Sequence, residues 1–296
     1  MSLPRQVLPN SAYMITRSCT QRQYLLRPDD ETNNAFIYCL AEAALRYDID
    51  VLLPCAMSNH THYVIFDRHG VVIEFYEHFH KMFAKCLNAL RGRWENFWSS
   101  EPVCLVRLEN QEDVVSKLVY TACNPVKDGL VERVHHWPGV NGLGAFLNRR
   151  VLKARRPSHF FRAAGTMPET VTLELTVPPE LGDHDEIVRE VRERVAAFEA
   201  ERAQLRADTG QRVLGRRRVL LQSWRESPTS REPRRTLRPR VAARSKWARI
   251  EALQRNREFL DAYRVARRAW LGGEPTLFPI GTYWLRRFAG VPIATA

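Results

Sequence analysis

The chain has 296 residues, of which 45% are hydrophobic, and it carries a formal net charge of +12 at pH 7. This content is enough for one substantial core and allows a second. No apolar run approaches the length of a membrane span, and the first five residues lack the apolar segment of a secretory leader. Six cysteines are scattered without CxxC spacing, a pattern typical of reduced core thiols. We therefore expect a cytoplasmic protein that does not bind a membrane.

The net charge lies entirely in the second half of the chain. Residues 1–150 contain 16 basic and 16 acidic side chains, whereas residues 151–296 contain 29 basic and 17 acidic ones. Of these 29 side chains 27 are arginine, which binds phosphate through paired hydrogen bonds. This excess indicates a polyanionic partner, and nucleic acid is favoured over a membrane because no amphipathic segment has a bulky apolar face. A genome of high GC content, which encodes surface charge as arginine, is the alternative explanation.

The first half contains seven predicted elements. Loose alternation of β-branched and aromatic residues predicts strands, and apolar residues that repeat every three or four positions predict helices. Asp29 and Asp30 open the first helix, and Asn110, followed by acidic residues, has the form of an N-cap. In chain order the elements are a strand at 11–20, a helix at 29–47, strands at 50–56 and 60–67, a helix at 71–91, an extended segment at 97–108 and a helix at 111–123.

This order predicts an α+β fold with a ferredoxin-like (RRM-like) antiparallel sheet and helices on one face. The uncovered face of the sheet would then be the working surface. The last helix is expected to end at Asn124–Pro125, because the residue before a proline is disfavoured in the helical region.

The pattern changes after residue 150, and we expect residues 151–296 to form a basic, mainly helical extension of a domain at 1–150. Within it, residues 171–177 alternate as a strand, and residues 185–208 and 247–270 predict charged helices. A segment rich in Pro, Ser and Arg near 223–245 predicts a flexible arm. Arginine clusters could extend a nucleic-acid footprint or form a solvated tail; they are Arg216–Arg218, Arg234–Arg235, Arg238 and Arg240.

Two short stretches of the first half place chemically active side chains on common faces. His60 and His62 alternate along a predicted strand, so both imidazoles lie on one side of it. Tyr120 and Asn124 are four residues apart in a predicted helix and share a face. Each has an ordinary explanation when taken singly: solvated histidines, a packing tyrosine and a capping asparagine. Together, two imidazoles, an amide and a phenol would make a metal-assisted phosphodiester site with a tyrosine nucleophile.

The segments around these residues resemble a known family. Residues 57–65, Met-Ser-Asn-His-Thr-His-Tyr-Val-Ile, resemble the Met-Pro-Asn-His-hydrophobic-His-hydrophobic signature of the single-tyrosine HUH transposases. Residues 120–131, Tyr-Thr-Ala-Cys-Asn-Pro-Val-Lys-Asp-Gly-Leu-Val, are similar to the Tyr-Ile-x-x-Asn-Pro-Val-Arg-Ala-Gly-Leu-Val segment of the REP-associated tyrosine transposases. Shorter similarities at 13–17 and 92–98 extend the resemblance over about residues 5–140. Ser58 and Thr61 depart from the signature, and Thr61 is expected to face the helices that cover the sheet.

The resemblance implies that residues 1–150 form a catalytic domain that cleaves and rejoins single-stranded DNA at hairpin-flanked sites. Tyr120 would be the nucleophile and form a 5′-phosphotyrosine link, while His60, His62 and Asn124 would hold a divalent metal, Mg²⁺ or Mn²⁺. The covalent link conserves the energy of the phosphodiester bond, so no nucleotide cofactor is needed. Single-stranded or hairpin DNA would be the partner, and the resemblance is compatible with a homodimer.

Basic and aromatic residues near the expected site supply candidate DNA contacts. The candidate phosphate contacts are Arg17, Arg91, Arg93 and Lys127. The candidates for stacking on bases are Tyr63, Trp94 and Trp98, with core packing as the alternative for each. Two other function classes stay open at this level. One is a domesticated DNA-hairpin-binding protein or repressor without catalysis, and the other is a small metal-binding or RNA-binding module with unrelated chemistry.

Overall fold

The computed structural model describes residues 4–230 and 239–294. The strands are β1 (Ser11–Ser18), β2 (Ile49–Ala56), β3 (His60–Asp67), β4 (Cys104–Leu108), β5 (Leu152–Arg155), β6 (Thr170–Leu173) and β7 (Val241–Ala242). The α-helices are α1 (Asp30–Tyr47), α2 (Val72–Arg91), α3 (Gln111–Lys127), α4 (Leu143–Leu147), α5 (His184–Thr209), α6 (Arg216–Leu221), α7 (Lys246–Leu271) and α8 (Trp284–Ala289). Within these described residues, no helix is both long and apolar enough to cross a membrane.

A five-stranded sheet with the strand order β2-β3-β1-β4-β7 organises the molecule. The first four strands pair antiparallel, as predicted, and β7 adds to the edge of β4 in the parallel direction. The α+β class is therefore confirmed, but the sheet is mixed and not purely antiparallel. The fifth strand escaped prediction because it is two residues long and comes from the distant second half of the chain. Strands β5 and β6 form a separate two-stranded sheet.

Helices cover both faces of the sheet. Neighbouring residues of a strand point to opposite faces. On one face Tyr63 packs against Phe79 of α2, with ring centroids 5.7 Å apart, and on the other His62 meets Tyr120 of α3 at 5.6 Å. The prediction of helices on one face and an open working face was wrong. Strand β3 shows why both faces are covered: its residues 61–67 are all buried, as expected of a strand packed on both sides.

Helix α3 begins as predicted and ends later than predicted. The Asn110 side chain accepts a hydrogen bond from the Asp113 amide at 2.9 Å, which makes it the N-cap. The expected end at Asn124–Pro125 was wrong, because the helix continues to Lys127. Pro125 removes one main-chain donor, but the Asp128 amide still donates to the Asn124 carbonyl at 3.0 Å. One lost bond near the end of a helix is therefore tolerated.

The second half of the chain contributes to the same core as the first. Buried Val171 and Leu173 of β6 and Ile187, Val191 and Val195 of α5 belong to the hydrophobic cluster that also contains the sheet. Helix α5 packs along α3, and β5 and β6 pack on α1. The predicted helices at 185–208 and 247–270 are confirmed as α5 and α7. The division into domains at residue 150 stays a prediction.

Candidate functional site

The two histidines of β3 lie in contact beneath α3. Their rings stand 4.7 Å apart at an interplanar angle of 86°, and the His62 ring meets the Tyr120 ring edge to face at 5.6 Å. His62 is buried, whereas His60 and Tyr120 are half-buried. The structure therefore brings together the strand and the helix that carried the two sequence motifs.

One face of α3 carries four polar side chains toward these histidines. Lys117, Tyr120, Asn124 and Lys127 are spaced by three, four and three residues, which places them in one stripe along the helix. The Lys127 ammonium donates to Tyr120 Oη at 3.3 Å and lies 4.6 Å from the ring centroid. The Lys117 ammonium lies 5.4 Å from the same centroid. Tyr120 is thus flanked by two cations.

The Nδ1 atom of each histidine is held by a neighbouring side chain. His60 Nδ1 lies 2.7 Å from Asn59 Oδ1, and Asn59 Nδ2 donates to the Arg22 carbonyl, which fixes the orientation of the amide. His60 must therefore donate through Nδ1, and the lone pair of Nε2 is left available. His62 Nδ1 lies 2.8 Å from Thr16 Oγ1 on the neighbouring strand. Such partners orient imidazoles that bind metals.

Both imidazoles are neutral at neutral pH. Burial lowers the pKa of His60 to about 4, assisted by the charges of Lys127 and Arg22 and opposed by a hydrogen bond with Asn124. Burial also holds the pKa of His62 well below its ordinary value, with further lowering by His60, Lys127 and Lys117. Neutral rings keep the lone pairs that a metal ion requires.

The donor chemistry fits a divalent cation. Asn124 is buried, and its Nδ2 is directed to the Tyr120 carbonyl at 3.5 Å, so its oxygen is left for the His60 side of the site. Two imidazoles and an amide oxygen suit Mn²⁺ as well as Mg²⁺. Over residues 4–230 and 239–294 no group of three or more His, Cys, Asp or Glu side chains could hold a metal ion. A metal bound by His60, His62 and Asn124 would therefore have only neutral protein ligands, and a substrate phosphate could supply an anionic one.

Two of the four predicted phosphate contacts have other roles. Arg17 alternates with Thr16 on β1, so it lies on the face opposite the histidines, and its guanidinium donates to the carbonyls of Glu101 and Ser99 at 2.7 and 2.9 Å. Arg91 is 9% exposed and forms an ion pair with Asp29, the N-cap of α1, at 2.8 Å. Both guanidinium groups thus have protein partners, and their roles as phosphate contacts stay predictions.

The other two predicted contacts, Lys127 and Arg93, touch residues at the site or next to it. Lys127 touches Tyr120, as described above. Arg93 donates to Gln23 Oε1 at 3.3 Å and lies 6.0 Å from the ring centroid of Trp224. Gln23 follows Arg22, whose carbonyl holds Asn59, so Arg93 is connected to the surroundings of His60 through this turn.

Residues 223–230 of the predicted flexible arm lie against the same turn, whereas Val241 and Ala242 of this segment form β7. Ser58 Oγ is 2.9 Å from Gln222 Oε1, the Tyr24 amide donates to the Glu226 carbonyl at 2.9 Å, and Ser227 Oγ donates to the Gln21 carbonyl at 2.9 Å. Residues 222–230 are thus bound next to the site. The arginines at 234, 235 and 238 lie outside the described residues.

Two of the three aromatic candidates for base stacking are packing residues, and the third is exposed. Tyr63 is buried among the rings of α2, and Trp98 donates through Nε1 to the His80 carbonyl at 2.9 Å, so both serve packing. Trp94 is 92% exposed. Thr61 is fully buried on the face of Tyr63, as expected, but in the described part of the chain its hydroxyl has no hydrogen-bond partner.

Sequence reasoning missed Lys117, Asn59 and Thr16. Lys117 could have been found from its spacing of three residues before Tyr120 on the same helix face. Asn59 belongs to the histidine motif and directly precedes His60. Thr16 could be placed opposite His62 only once the register of β1 and β3 was known.

Comparison with known proteins gives structural similarities only. No protein-family model and no curated protein matches the sequence. The structure is similar to that of a REP-associated tyrosine transposase bound to a REP hairpin, with 14% identity and a TM-score of 0.43, over 62% of this chain and 97% of that chain. It is also similar to a candidate transposase from Deinococcus radiodurans R1, with 15% identity and a TM-score of 0.27, over 36% of this chain and 85% of that one. At these values the functional assignment has to rest on the geometry of the site.

Proposed function

We propose that this protein is a metal-dependent DNA strand transferase of the single-tyrosine HUH type. It would cleave and rejoin single-stranded DNA at hairpin-flanked sites through a 5′-phosphotyrosine link on Tyr120. The observation that carries the proposal is the meeting of His60 and His62 with Tyr120 and Asn124 of α3. The strand order β2-β3-β1-β4 supports a ferredoxin-like frame, with the histidine strand in the interior of the sheet.

The side chains divide the proposed chemistry between them. His60, His62 and Asn124 hold Mg²⁺ or Mn²⁺, which when bound polarises the scissile phosphate and offsets its developing charge. The Tyr120 phenol gives its proton to solvent as its oxygen forms a bond to phosphorus, the bond from phosphorus to the 3′ oxygen breaks, and that oxygen takes a proton from solvent and leaves as a hydroxyl. A 3′ hydroxyl reverses the step and releases Tyr120. Since the diester energy is kept in the link, no nucleotide cofactor takes part.

The surroundings of Tyr120 favour a single-stranded substrate. The phenol is half-buried between α3 and the sheet, so a flexible strand reaches it more easily than a rigid duplex. Lys117 and Lys127 flank the phenol, and the arginine-rich second half adds positive charge that attracts a phosphate backbone.

Trapping of the covalent link tests the proposal. The protein is incubated with single-stranded hairpin oligonucleotides from its own genomic flanks, labelled at the 3′ end, in Mn²⁺, Mg²⁺ or EDTA, and is then run on a denaturing gel. Label is expected on the protein only when metal is present, because a 5′-phosphotyrosine retains the 3′-terminal fragment. A 5′ label should appear instead on a shorter DNA that ends in a 3′ hydroxyl.

Two variants make the result specific. Tyr120→Phe should abolish the adduct. Tyr47→Phe is the matched control, since Tyr47 is also half-buried and meets a histidine ring, that of His78 at 5.7 Å, and it should keep the adduct. Hairpin binding by the wild type without any adduct would favour the silent binding protein, and an adduct that survives in Tyr120→Phe would assign the nucleophile to another residue.

A further inference from the structure

One side chain touches the oxygen that reacts in the proposed function. The Lys127 ammonium lies 3.3 Å from Tyr120 Oη. An ammonium has three donor hydrogens and no acceptor, so Lys127 can only donate to this oxygen. A donated hydrogen bond and a positive charge both stabilise negative charge that develops on this oxygen during a reaction.

We infer that Lys127 is a catalytic residue that stabilises negative charge on Tyr120 Oη. It would act when this oxygen attacks phosphorus and again when the oxygen leaves phosphorus during rejoining. In the forward step the phenol proton passes to solvent, the bond from oxygen to phosphorus forms, and the bond to the 3′ oxygen breaks. Lys127 keeps all its protons in both directions. The inference rests on the proposed role of Tyr120 as the nucleophile.

The continuation of α3 through Pro125 is what places Lys127 at this oxygen. Seven residues separate Tyr120 from Lys127, which corresponds to two helical turns, so the two side chains share a face. A helix that ended at Asn124 would not hold this register. The exposed ammonium also has electrostatic influence on the site, since its charge contributes to the lowered pKa of both His60 and His62.

Lys117 offers an internal comparison. Its ammonium lies 5.4 Å from the Tyr120 ring centroid, compared with 4.6 Å for Lys127, and its charge also lowers the pKa of His62. A hydrogen bond to Tyr120 Oη is recorded for Lys127. Replacing either lysine by methionine removes one positive charge next to the same ring, but only the change at position 127 removes the recorded contact with the reacting oxygen.

The test separates the chemical step from DNA binding. Single-turnover adduct formation is measured at saturating hairpin DNA with Mn²⁺ from pH 6 to 9 for the wild type, Lys127→Met, Lys127→Arg and Lys117→Met. The affinity of each for the same DNA is measured in the Tyr120→Phe background with EDTA, where no cleavage occurs. Urea unfolding of each variant checks that it is folded.

We expect Lys127→Met to slow the saturated rate by about 10- to 100-fold, the range for a lost hydrogen bond to a charged group. Among the described residues, the titratable groups in contact with Tyr120 include His62 of β3 and the two lysines of α3, and burial keeps His62 neutral over the measured range. Lys127→Arg should recover most of the rate, and Lys117→Met should slow the saturated rate less than Lys127→Met does, because it keeps the contact between Lys127 and Tyr120 Oη.

Three outcomes would overturn the inference. Equal saturated rates for the wild type and Lys127→Met, with weaker DNA affinity for the variant, would make Lys127 a phosphate contact only. An equal slowing in Lys117→Met would assign the effect to the general positive field. An adduct missing from the wild type would overturn the proposed function itself, and the role of Lys127 with it.

Discussion

The hydroxyl of Thr16 orients His62, and Thr16→Val removes it while nearly preserving the shape of the side chain. Thr16 Oγ1 lies 2.8 Å from His62 Nδ1, and the two residues are directly paired between β1 and β3. His62 is buried, so Nδ1 has no access to water as a replacement partner. An unpaired buried polar group costs about 1–3 kcal/mol, and loss of a partner that orients a metal-binding histidine weakens metal affinity by about 10- to 100-fold.

A matched control lies on the adjacent strand. Thr61 is fully buried, and its hydroxyl has no hydrogen-bond partner within the described residues. Because Thr61→Val exchanges an unsatisfied hydroxyl for a methyl group, we expect it to leave stability unchanged or to raise it by up to about 2 kcal/mol. The same chemical change should therefore lower the stability at position 16 and not at position 61.

Two measurements decide the comparison. Urea unfolding gives the free energy of unfolding, and titration calorimetry with Mn²⁺ gives the metal affinity of each variant. We expect Thr16→Val to lower both the free energy of unfolding and the Mn²⁺ affinity, and Thr61→Val to lower neither. Wild-type Mn²⁺ affinity in Thr16→Val would refute the orienting role of Thr16, and equal losses of stability in both variants would refute the argument from hydrogen-bond satisfaction.

Two further predictions concern buried groups away from the metal ligands. Burial lowers the pKa of His80 to about 3. Between about pH 6.5 and pH 3 the unfolded chain therefore binds a proton that the folded chain does not. The free energy of unfolding should fall as the pH falls, by up to about 1.4 kcal/mol per pH unit. His80→Gln should reduce this dependence by one proton in urea unfolding across that range, and an unchanged slope would contradict the assignment. Arg91→Met removes one of the two arginines that pair with Asp29, since Arg27 also lies 3.1 Å from this carboxylate, and should cost about 1–3 kcal/mol of unfolding free energy. The folded variant should bind hairpin DNA as tightly as the wild type in anisotropy titrations, whereas a loss of affinity at unchanged stability would support Arg91 as a phosphate contact.

Local signals predicted most elements that carry the site. The caps at Asp29 and Asn110 and the alternation around His60 and His62 depend on residues close in sequence, so they could be recognised without the fold. The partner of Arg91 could not, because Asp29 is 62 positions away and their contact depends on how α1 and α2 pack. Coverage of the second sheet face by α3 is likewise a tertiary property.

The proline rule also failed for a tertiary reason. It describes the preference of an isolated residue, but residues 122–126 are buried against the sheet and α5, and this packing offsets the loss of one donor. The side of β1 that carries Arg17 depends on the strand register, which the sequence leaves open. The protein partners of Arg17 and Arg91 thus share one property: they depend on strand register and helix packing, which a sequence pattern does not give.

The two-residue strand β7 has a consequence for synthesis of the chain. Within the described residues, the outer edge of β4 pairs with Val241 and Ala242, which follow Leu108 by roughly 130 residues. At the usual ribosomal rate of about 5–20 residues per second, this edge is unpaired on the order of ten seconds after β4 has been made. Unpaired strand edges promote association between chains. Nascent chains that have made β4 but not yet β7 should therefore aggregate more readily than the folded protein, in which Val241 and Ala242 pair with this edge.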